Sequence, residues 1–356
     1  MVDKRVEKLA KIIVDYSTEV KKGERVIISS SVLAKDLVLK IYKLVLQKDA
    51  FASIKFNVPG MASTYYKYSD KDQLSKIDRF YEQEIENSQV YISIITDSDR
   101  ELVDIDPEKI AIRQKVTRKI SDLIVNRPEK MRRCLTLFPT EELAKEAKMN
   151  FKDYQKFVFN GLLQDWKEEV RKMSKVKKVL EKVNMLHILG KDTDLKMSIK
   201  GRKFIPSSGK SNLPGGEIFC APVKQSLNGK IYFEFPSIRG GKEVSDIRLE
   251  FNDGAIVKAS ASKNQDFLRK MISTDNNSKY VGELGIGLNK KINRITNELL
   301  FDEKLGGTIH LALGMAYKSC GGGNDSAIHW DIIKDMKHGE IYGDGKLLFK
   351  NGKWLV

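Results

Sequence analysis

Two of the four histidines in this 356-residue chain, both in its C-terminal part, lie beside residues that could bind a metal ion. His310 lies in GGTIHLALGMAY and His329 lies in SAIHWD, with Asp331 two positions later. Residues two apart in an extended segment point to the same side of the chain. The spacing therefore predicts that His329 and Asp331 reach one metal ion, or two adjacent ones.

Two carboxylates in glycine-containing segments could complete such a site. Glu217 lies in NLPGGEIFCAP and Glu283 lies in YVGELGIGLN. Glycine beside a carboxylate lets the backbone approach a ligand closely, although a single glutamate in such a loop is more often a solvated turn residue. Two imidazoles with three carboxylates suit a pair of divalent ions such as Zn, Co or Mn, which can lower the pKa of a shared water. From these residues alone, a structural role for each histidine stays an alternative.

Four segments carry a further pattern: NLPGGEIFCAP, GELGIG, LGGTIHLALGMAY and GGGNDSAIHWD. In this order they resemble the motifs of the aminopeptidase T family, the M29 metallopeptidases. The opening LAKIIVDYSTEVKKGERVIISSS is also similar to the family's first helix and strand, so the resemblance covers nearly the whole chain. It implies a two-domain, dimeric, cytosolic exopeptidase that uses a two-metal centre to remove N-terminal amino acids from peptides.

The resemblance assigns five metal ligands: Glu217, Glu283, His310, His329 and Asp331. It also places Tyr317, seven positions after the first histidine ligand, at the site. Bacterial members often have two adjacent acids where this chain has Gly216 and Glu217, and a threonine where it has Cys220. Glu217 is taken as the ligand because it directly precedes the Ile-Phe pair.

Two of these residues are also expected to act in catalysis. In the expected reaction, the free amine and the scissile carbonyl of the peptide are held at the metals while an activated water attacks the carbonyl. Glu283 is the candidate that moves the proton, and Tyr317 donates a hydrogen bond to the developing oxyanion. The sequence leaves open which glutamate bridges the metals and which is the base. It also leaves open a packing role for Tyr317.

The charge of the chain suggests other classes of protein. The net charge is +15, and the two most basic runs are residues 112–133 and 167–183. Both runs place acids or apolar residues at helical spacing, which favours solvated helix faces over a nucleic-acid groove. We therefore expect no specific nucleic acid as a partner. A basic nucleic-acid-binding protein stays an alternative, as does a two-metal amidohydrolase or phosphoesterase that uses the same ligands.

The expected location follows from features that the sequence lacks. Its three cysteines are too widely spaced for a disulfide framework or a cysteine-type zinc site. There is no run of about 20 apolar residues, and the N-terminus mixes charge into its apolar positions. We expect a cytoplasmic protein without a membrane partner, and the family resemblance implies a homodimer that acts on short peptides with a free N-terminus.

The elements that must position these residues change in character along the chain. Apolar segments at 25–30, 52–58, 89–95 and 133–138 predict strands, and helical patterns lie between them. This alternation predicts an α/β domain, doubly wound and Rossmann-like, over residues 1–185. Residues 186–356 are rich in short strands and hairpin turns, which predicts a β-rich α+β catalytic domain with the metal site. Helices at 140–183 could pack on either side, and His187 is expected to be a core histidine at the junction.

Overall fold

The computed structural model describes residues 3–97 and 105–355, and the chain divides into two compact units. Unit 1 comprises Met1–Leu163 with Gly209–Pro214, and unit 2 comprises Gln164–Ser208 with Gly215–Val356. The division follows Leu163 rather than residue 185. The reason is that the helix before residue 185 packs Met173, Val176 and Leu180 into the core of unit 2.

Unit 1 is built on a four-stranded parallel sheet with the order β2-β1-β3-β4. Its elements, in chain order, are α1 (Lys4–Lys11, continued by a π-helical segment Ile12–Ser17), β1 (Arg25–Ser31), α2 (Lys35–Gln47), β2 (Phe51–Asn57), α3 (Met61–Tyr68), α4 (Lys71–Leu74), α5 (Arg79–Glu86), β3 (Val90–Ile95), α6 (Pro107–Val125), β4 (Arg132–Leu137), α7 (Glu141–Glu146) and α8 (Phe151–Leu162). The four strands expected from the apolar segments are all present. The alternation of strand and helix around a parallel sheet confirms the α/β class.

β1, an interior strand of this sheet, shows why residues 25–30 contain consecutive apolar residues. Val26, Ile27 and Ile28 are consecutive residues of β1, and all three are buried. Because consecutive strand residues point to opposite faces, both faces of the sheet are covered.

Unit 2 contains two larger antiparallel sheets and a separate hairpin. Its elements are α9 (Trp166–Leu180), β5 (Met185–Gly190), β6 (Thr193–Ser198), β7 (Ile205–Pro206), β8 (Glu217–Cys220), β9 (Asn228–Phe233), β10 (Ser237–Arg239), β11 (Lys242–Val244), β12 (Ile247–Asn252), β13 (Ala255–Ser260), α10 (Gln265–Ile272), β14 (Val281–Gly287), α11 (Leu299–Asp302), β15 (Thr308–Gly314), β16 (His329–Asp335), β17 (Glu340–Gly343), β18 (Lys346–Lys350) and β19 (Lys353–Trp354). The eight-stranded sheet has the order β13-β12-β9-β6-β5-β17-β18-β19, and the five-stranded sheet has the order β16-β15-β14-β8-β7. This β-rich unit is the second half of the predicted fold.

The prediction that His187 is a core histidine is wrong. Its side chain is 32% exposed on β5, and its Nε2 lies 2.7 Å from Asp194 Oδ1 on β6. Its neighbours Leu186 and Ile188 are the residues that face the core. The alternation of strand side chains therefore places His187 on the outer face of the sheet.

None of the helices in the described part of the chain combines the length and the hydropathy that a membrane crossing requires.

Candidate metal centre

The five residues expected to bind metal all lie on the five-stranded sheet of unit 2. Glu217 begins β8, Glu283 lies in β14, His310 is the third residue of β15, and both His329 and Asp331 lie in β16. The residues that alternate with them belong to the hydrophobic core: Ile218, Leu284, Ile286, Ile309, Leu311, Trp330 and Ile332. Because strand side chains alternate between faces, one face of the sheet packs in the core and the other carries all five residues.

The pairing of the strands brings these side chains together. Glu283 on β14 and Asp331 on β16 both pair with Ala312 of β15, so the two carboxylates flank a single methyl group. Two residues before Ala312 in β15, and on the same face of the sheet, His310 pairs with Gly285 of β14. A β-carbon at Gly285 would lie 1.9 Å from Nε2 of His310 and 2.0 Å from its Cε1, so only glycine leaves room for the imidazole.

The distances define one continuous cluster of side chains. Nε2 of His310 lies 3.4 Å from Glu283 Oε1 and 3.5 Å from Glu217 Oε2. Potential ligand atoms of Glu283, His310 and Asp331 all lie within 4.8 Å of one another. Nε2 of His329 lies 3.6 Å from Asp331 Oδ2. The structure thus places all five sequence-predicted residues side by side, in the order Glu217, His310, Glu283, Asp331, His329.

The residues present fit a divalent ion. Three buried polar atoms of the cluster have no hydrogen-bond partner among the described residues: Glu217 Oε2, Glu283 Oε2 and His310 Nδ1. A buried polar group without a partner costs about 1–3 kcal/mol, and more when it is charged. Carboxylate oxygens and imidazole nitrogens together are the ligands of Zn and similar ions. A bound ion would satisfy the two carboxylate oxygens.

The electrostatics of the cluster favour a positive charge at its centre. Burial lowers the pKa of His310, but the carboxylates of Glu283, Glu217 and Asp331 outweigh burial and raise the pKa to about 9. Burial, reinforced by the nearby Asp331, raises the pKa of Glu283 despite the opposing effect of His310. An excess of carboxylates in a site that excludes water therefore attracts a cation.

The orientation of His329 leaves its Nε2 available for a ligand. Its Nδ1 lies 2.9 Å from the backbone oxygen of Met315, and a carbonyl oxygen can only accept a hydrogen bond. Nδ1 is therefore the protonated nitrogen. A backbone acceptor of this kind fixes the tautomer of metal-binding histidines in general.

Tyr317 lies beside the cluster rather than inside a core strand. It follows the end of β15, and its ring centroid is 5.3 Å from that of His329 and 6.1 Å from that of Phe219. The residue is 38% exposed. Its ring therefore lines an accessible side of the cluster.

Sequence reasoning missed Lys304, which touches the cluster at Glu217, and Glu303, which contacts Lys304. Lys304 is fully buried, with its Nζ 3.2 Å from Glu217 Oε1 and in contact with Glu303 Oε1. Burial lowers the pKa of Lys304, but the two carboxylates outweigh burial and raise it above its ordinary value. The available signal was the segment FDEKLGG, which places three charged residues between an apolar segment and the glycines before β15.

Comparison with known proteins adds information on ancestry. A sequence model of the family described as thermophilic metalloprotease (M29) matches residues 2–354. Aminopeptidase AmpS of Bacillus subtilis is 24% identical over 97% of this chain and 97% of its own length. Wild-type AmpT from Thermus thermophilus has a similar structure, with a TM-score of 0.87 at 22% identity over 99% of both chains.

A structure named as an enzyme of another class also has this fold. The 2,5-dihydroxypyridine dioxygenase from Pseudomonas putida KT2440 matches with a TM-score of 0.61 at 13% identity, over 99% of this chain and 97% of that one. At these identities the solved structures establish a shared fold and nothing more. Because one fold can host several reactions, function has to be argued from the site.

Proposed function

The chain belongs to the thermophilic metalloprotease (M29) family, and on that premise we propose that it is a two-metal aminopeptidase acting on short peptides with a free N-terminus. The names of its relatives, such as aminopeptidase AmpS, support this proposal. The observation that supports it most is the sheet face on which five ligand-type side chains meet, with two buried carboxylate oxygens that lack a hydrogen-bond partner among the described residues.

We assign the metal ions to one set of ligands: Glu217, Glu283, His310, His329 and Asp331. Five ligands exceed what one tetrahedral zinc ion takes from a protein, which favours two ions, of Zn, Co or Mn. When bound, such a pair supplies a Lewis acid for the scissile carbonyl and lowers the pKa of the attacking water.

Glu283 is the candidate for the proton transfer. Its carboxylate is 7% exposed, lies on the ligand-bearing face of the sheet and has its Oε1 3.4 Å from His310 Nε2. A carboxylate has two oxygens, so Glu283 would hold a metal ion through one and take a proton from the attacking water with the other. The same carboxyl group then returns the proton to the departing amine.

Tyr317 is the candidate that stabilises the oxyanion. Its ring lies beside His329 on an accessible side of the cluster, where a substrate carbonyl can approach. The hydroxyl donates a hydrogen bond to the oxygen as negative charge develops on it. A free N-terminal amine offers a lone pair to the metal ions, which an N-acetylated terminus does not.

Hydrolysis of a small peptide panel tests the proposal. We expect peptides with a free N-terminus to be shortened one residue at a time, N-acetylated versions to resist, and a chelator to abolish activity. Efficient cleavage of blocked peptides would indicate an amidohydrolase, and hydrolysis of phosphoesters alone would indicate a phosphoesterase. Salt-sensitive DNA binding without hydrolysis would indicate a nucleic-acid-binding protein.

The cytoplasmic location and the homodimer belong to the same proposal, because the family resemblance implies both. Light scattering of the purified protein measures its mass in solution. A mass of one chain at micromolar concentration would contradict the homodimer.

A further inference from the structure

Lys304 lies between two glutamates in a buried part of unit 2. Its side chain is 0% exposed, while the side chains of Glu217 and Glu303 are 6% and 15% exposed. The backbone around it is held in place, because the amide of Asn289 donates to the carbonyl of Lys304 at 3.0 Å. The ammonium is thus fixed against both carboxylates by the fold.

The two oxygens of Glu217 face different partners. Oε1 accepts from Lys304 at 3.2 Å, whereas Oε2 points to His310 Nε2 at 3.5 Å and has no hydrogen-bond partner among the described residues. One carboxylate therefore joins a fixed cation to the proposed metal cluster. Glu303 Oε1 also contacts this cation.

An ammonium held by two carboxylates resembles a metal ion held by the same groups. Carboxylate oxygens are ligands for divalent ions, and burying an unpaired carboxylate costs several kcal/mol. Without a cation at this position, Glu217 and Glu303 would form a further pair of acidic ligands next to the cluster. An additional divalent ion would then be attracted to them.

We propose that Lys304 is a built-in cation that occupies the position between Glu217 and Glu303 and keeps Glu303 from serving as a metal ligand. Divalent ions are thereby confined to the five-residue cluster. Lys304 is a positioning residue, since it acts through the two carboxylates. The inference rests on the proposed function, because it requires that the cluster bind divalent ions.

A purely supporting role for Lys304 makes the opposite prediction. If the lysine only oriented Glu217, its loss would weaken metal binding by about 10–100-fold, the usual effect of removing a group that orients a ligand. If Lys304 instead excludes an ion, the protein that lacks it should bind an additional ion, or should bind its weakest ion at least about 10-fold more tightly. The sign of the change therefore distinguishes the two roles.

The experiment titrates chelator-treated full-length protein with Zn²⁺ or Co²⁺, by calorimetry and by elemental analysis after dialysis. We expect Lys304→Met to gain an ion, or to gain affinity, relative to the wild type. The double variant Glu303→Gln with Lys304→Met should show no additional ion, because one of the two carboxylates is gone. Weaker or unchanged binding in Lys304→Met would overturn the proposal, as would an additional ion that persists in the double variant.

Two further variants cover the case in which Lys304→Met does not fold. Lys304→Arg keeps the cation and should bind the same number of ions as the wild type. Glu303→Gln alone should also keep the wild-type number, and an ion lost in this variant would show that Glu303 is already a ligand and overturn the proposal. A wild-type protein that binds no divalent ion would instead contradict the proposed function itself.

Discussion

The imidazole of His310 occupies the space where the side chain of Gly285 would be, with its Nε2 1.9 Å from the position of a β-carbon there. The two residues are paired across β14 and β15, so the contact follows from the register of the sheet. The placement of the central histidine therefore depends on a glycine that itself binds nothing.

Gly285→Ala should displace His310 and weaken metal binding. The added methyl group overlaps the imidazole, so the ring must rotate or the two strands must separate, and a loss of about 10–100-fold in metal affinity is expected. Competition with a coloured chelator measures the affinity. Gly323→Ala is the matched control, because a β-carbon there meets no described atom within 4 Å. Equal affinity in the two variants would show that His310 is not needed for binding.

His329→Ala and Asp331→Ala should each lower the metal content of the purified protein. The two side chains lie 3.6 Å apart on the same face of β16, as expected for ligands of a common centre. Elemental analysis after dialysis gives the number of ions per chain. His187→Ala, which changes a histidine on the outer face of β5, should leave that number unchanged. Wild-type metal content in both cluster variants would remove the ligand assignment.

Tyr317→Phe should slow turnover while leaving metal binding intact. The change keeps the ring that lies 5.3 Å from His329 and deletes only the hydroxyl group. If the hydroxyl stabilises the oxyanion, kcat should fall by about 10²–10³, or roughly 2.7–4 kcal/mol. Metal content and Tm are measured in parallel and should stay near wild type. Near-normal turnover would leave Tyr317 a packing role only, whereas loss of metal would make it a ligand or the support of one.

Asp302 should make the stability of unit 2 depend on pH. Burial raises the pKa of Asp302 to about 7, although the amide and hydroxyl of Thr296 both donate to its Oδ1 at 2.8 Å and oppose this rise. The unfolded chain has a pKa near 3.9, so the folded state binds the proton more tightly. The contribution of this group to stability is therefore complete below about pH 4 and is lost as pH rises towards 7.

The side chain introduced by Asp302→Asn is uncharged at every pH, so this variant should not lose unfolding free energy as the pH rises. Its free energy of unfolding, relative to the wild type, should increase between about pH 4 and 7 by up to about 4 kcal/mol. Tryptophan fluorescence during denaturant unfolding reports on unit 2, because all three tryptophans of the chain, at positions 166, 330 and 354, belong to it. Asp266→Asn, at a side chain that is 99% exposed, is the control. A difference that does not change with pH would contradict the raised pKa.

Local patterns predict the pair on β16 because it depends only on the geometry of one strand. His329 and Asp331 are two apart, and alternation alone places them on one face. Glu217 and Glu283 reach the same face through pairing between distant strands. No local spacing contains that information, and only the family motifs pointed to it.

The other misses have two causes: tertiary packing that overrides local preference, and strand alternation within an apolar run. Lys304 is a charged residue next to a glycine turn, a setting that is usually solvated, yet it is fully buried against two acids. His187 lies in an apolar run, but strand alternation turns it outward. The division after Leu163 depends on where the apolar face of α9 packs, which the periodicity of a helix does not reveal.

The two faces of the five-stranded sheet separate two roles in unit 2. Residues on one face determine the chemistry of the site, and residues on the other face determine how stably the sheet packs. Substitution of Glu217 or His329 changes the polar face, while Ile218 and Trp330 continue to hold the sheet in the core. Deletion of one residue in β15, by contrast, would exchange the faces of its side chains and turn the histidine into the core. New side chains therefore reach the polar face by substitution without a change of register, whereas an insertion or deletion in these strands rearranges both faces.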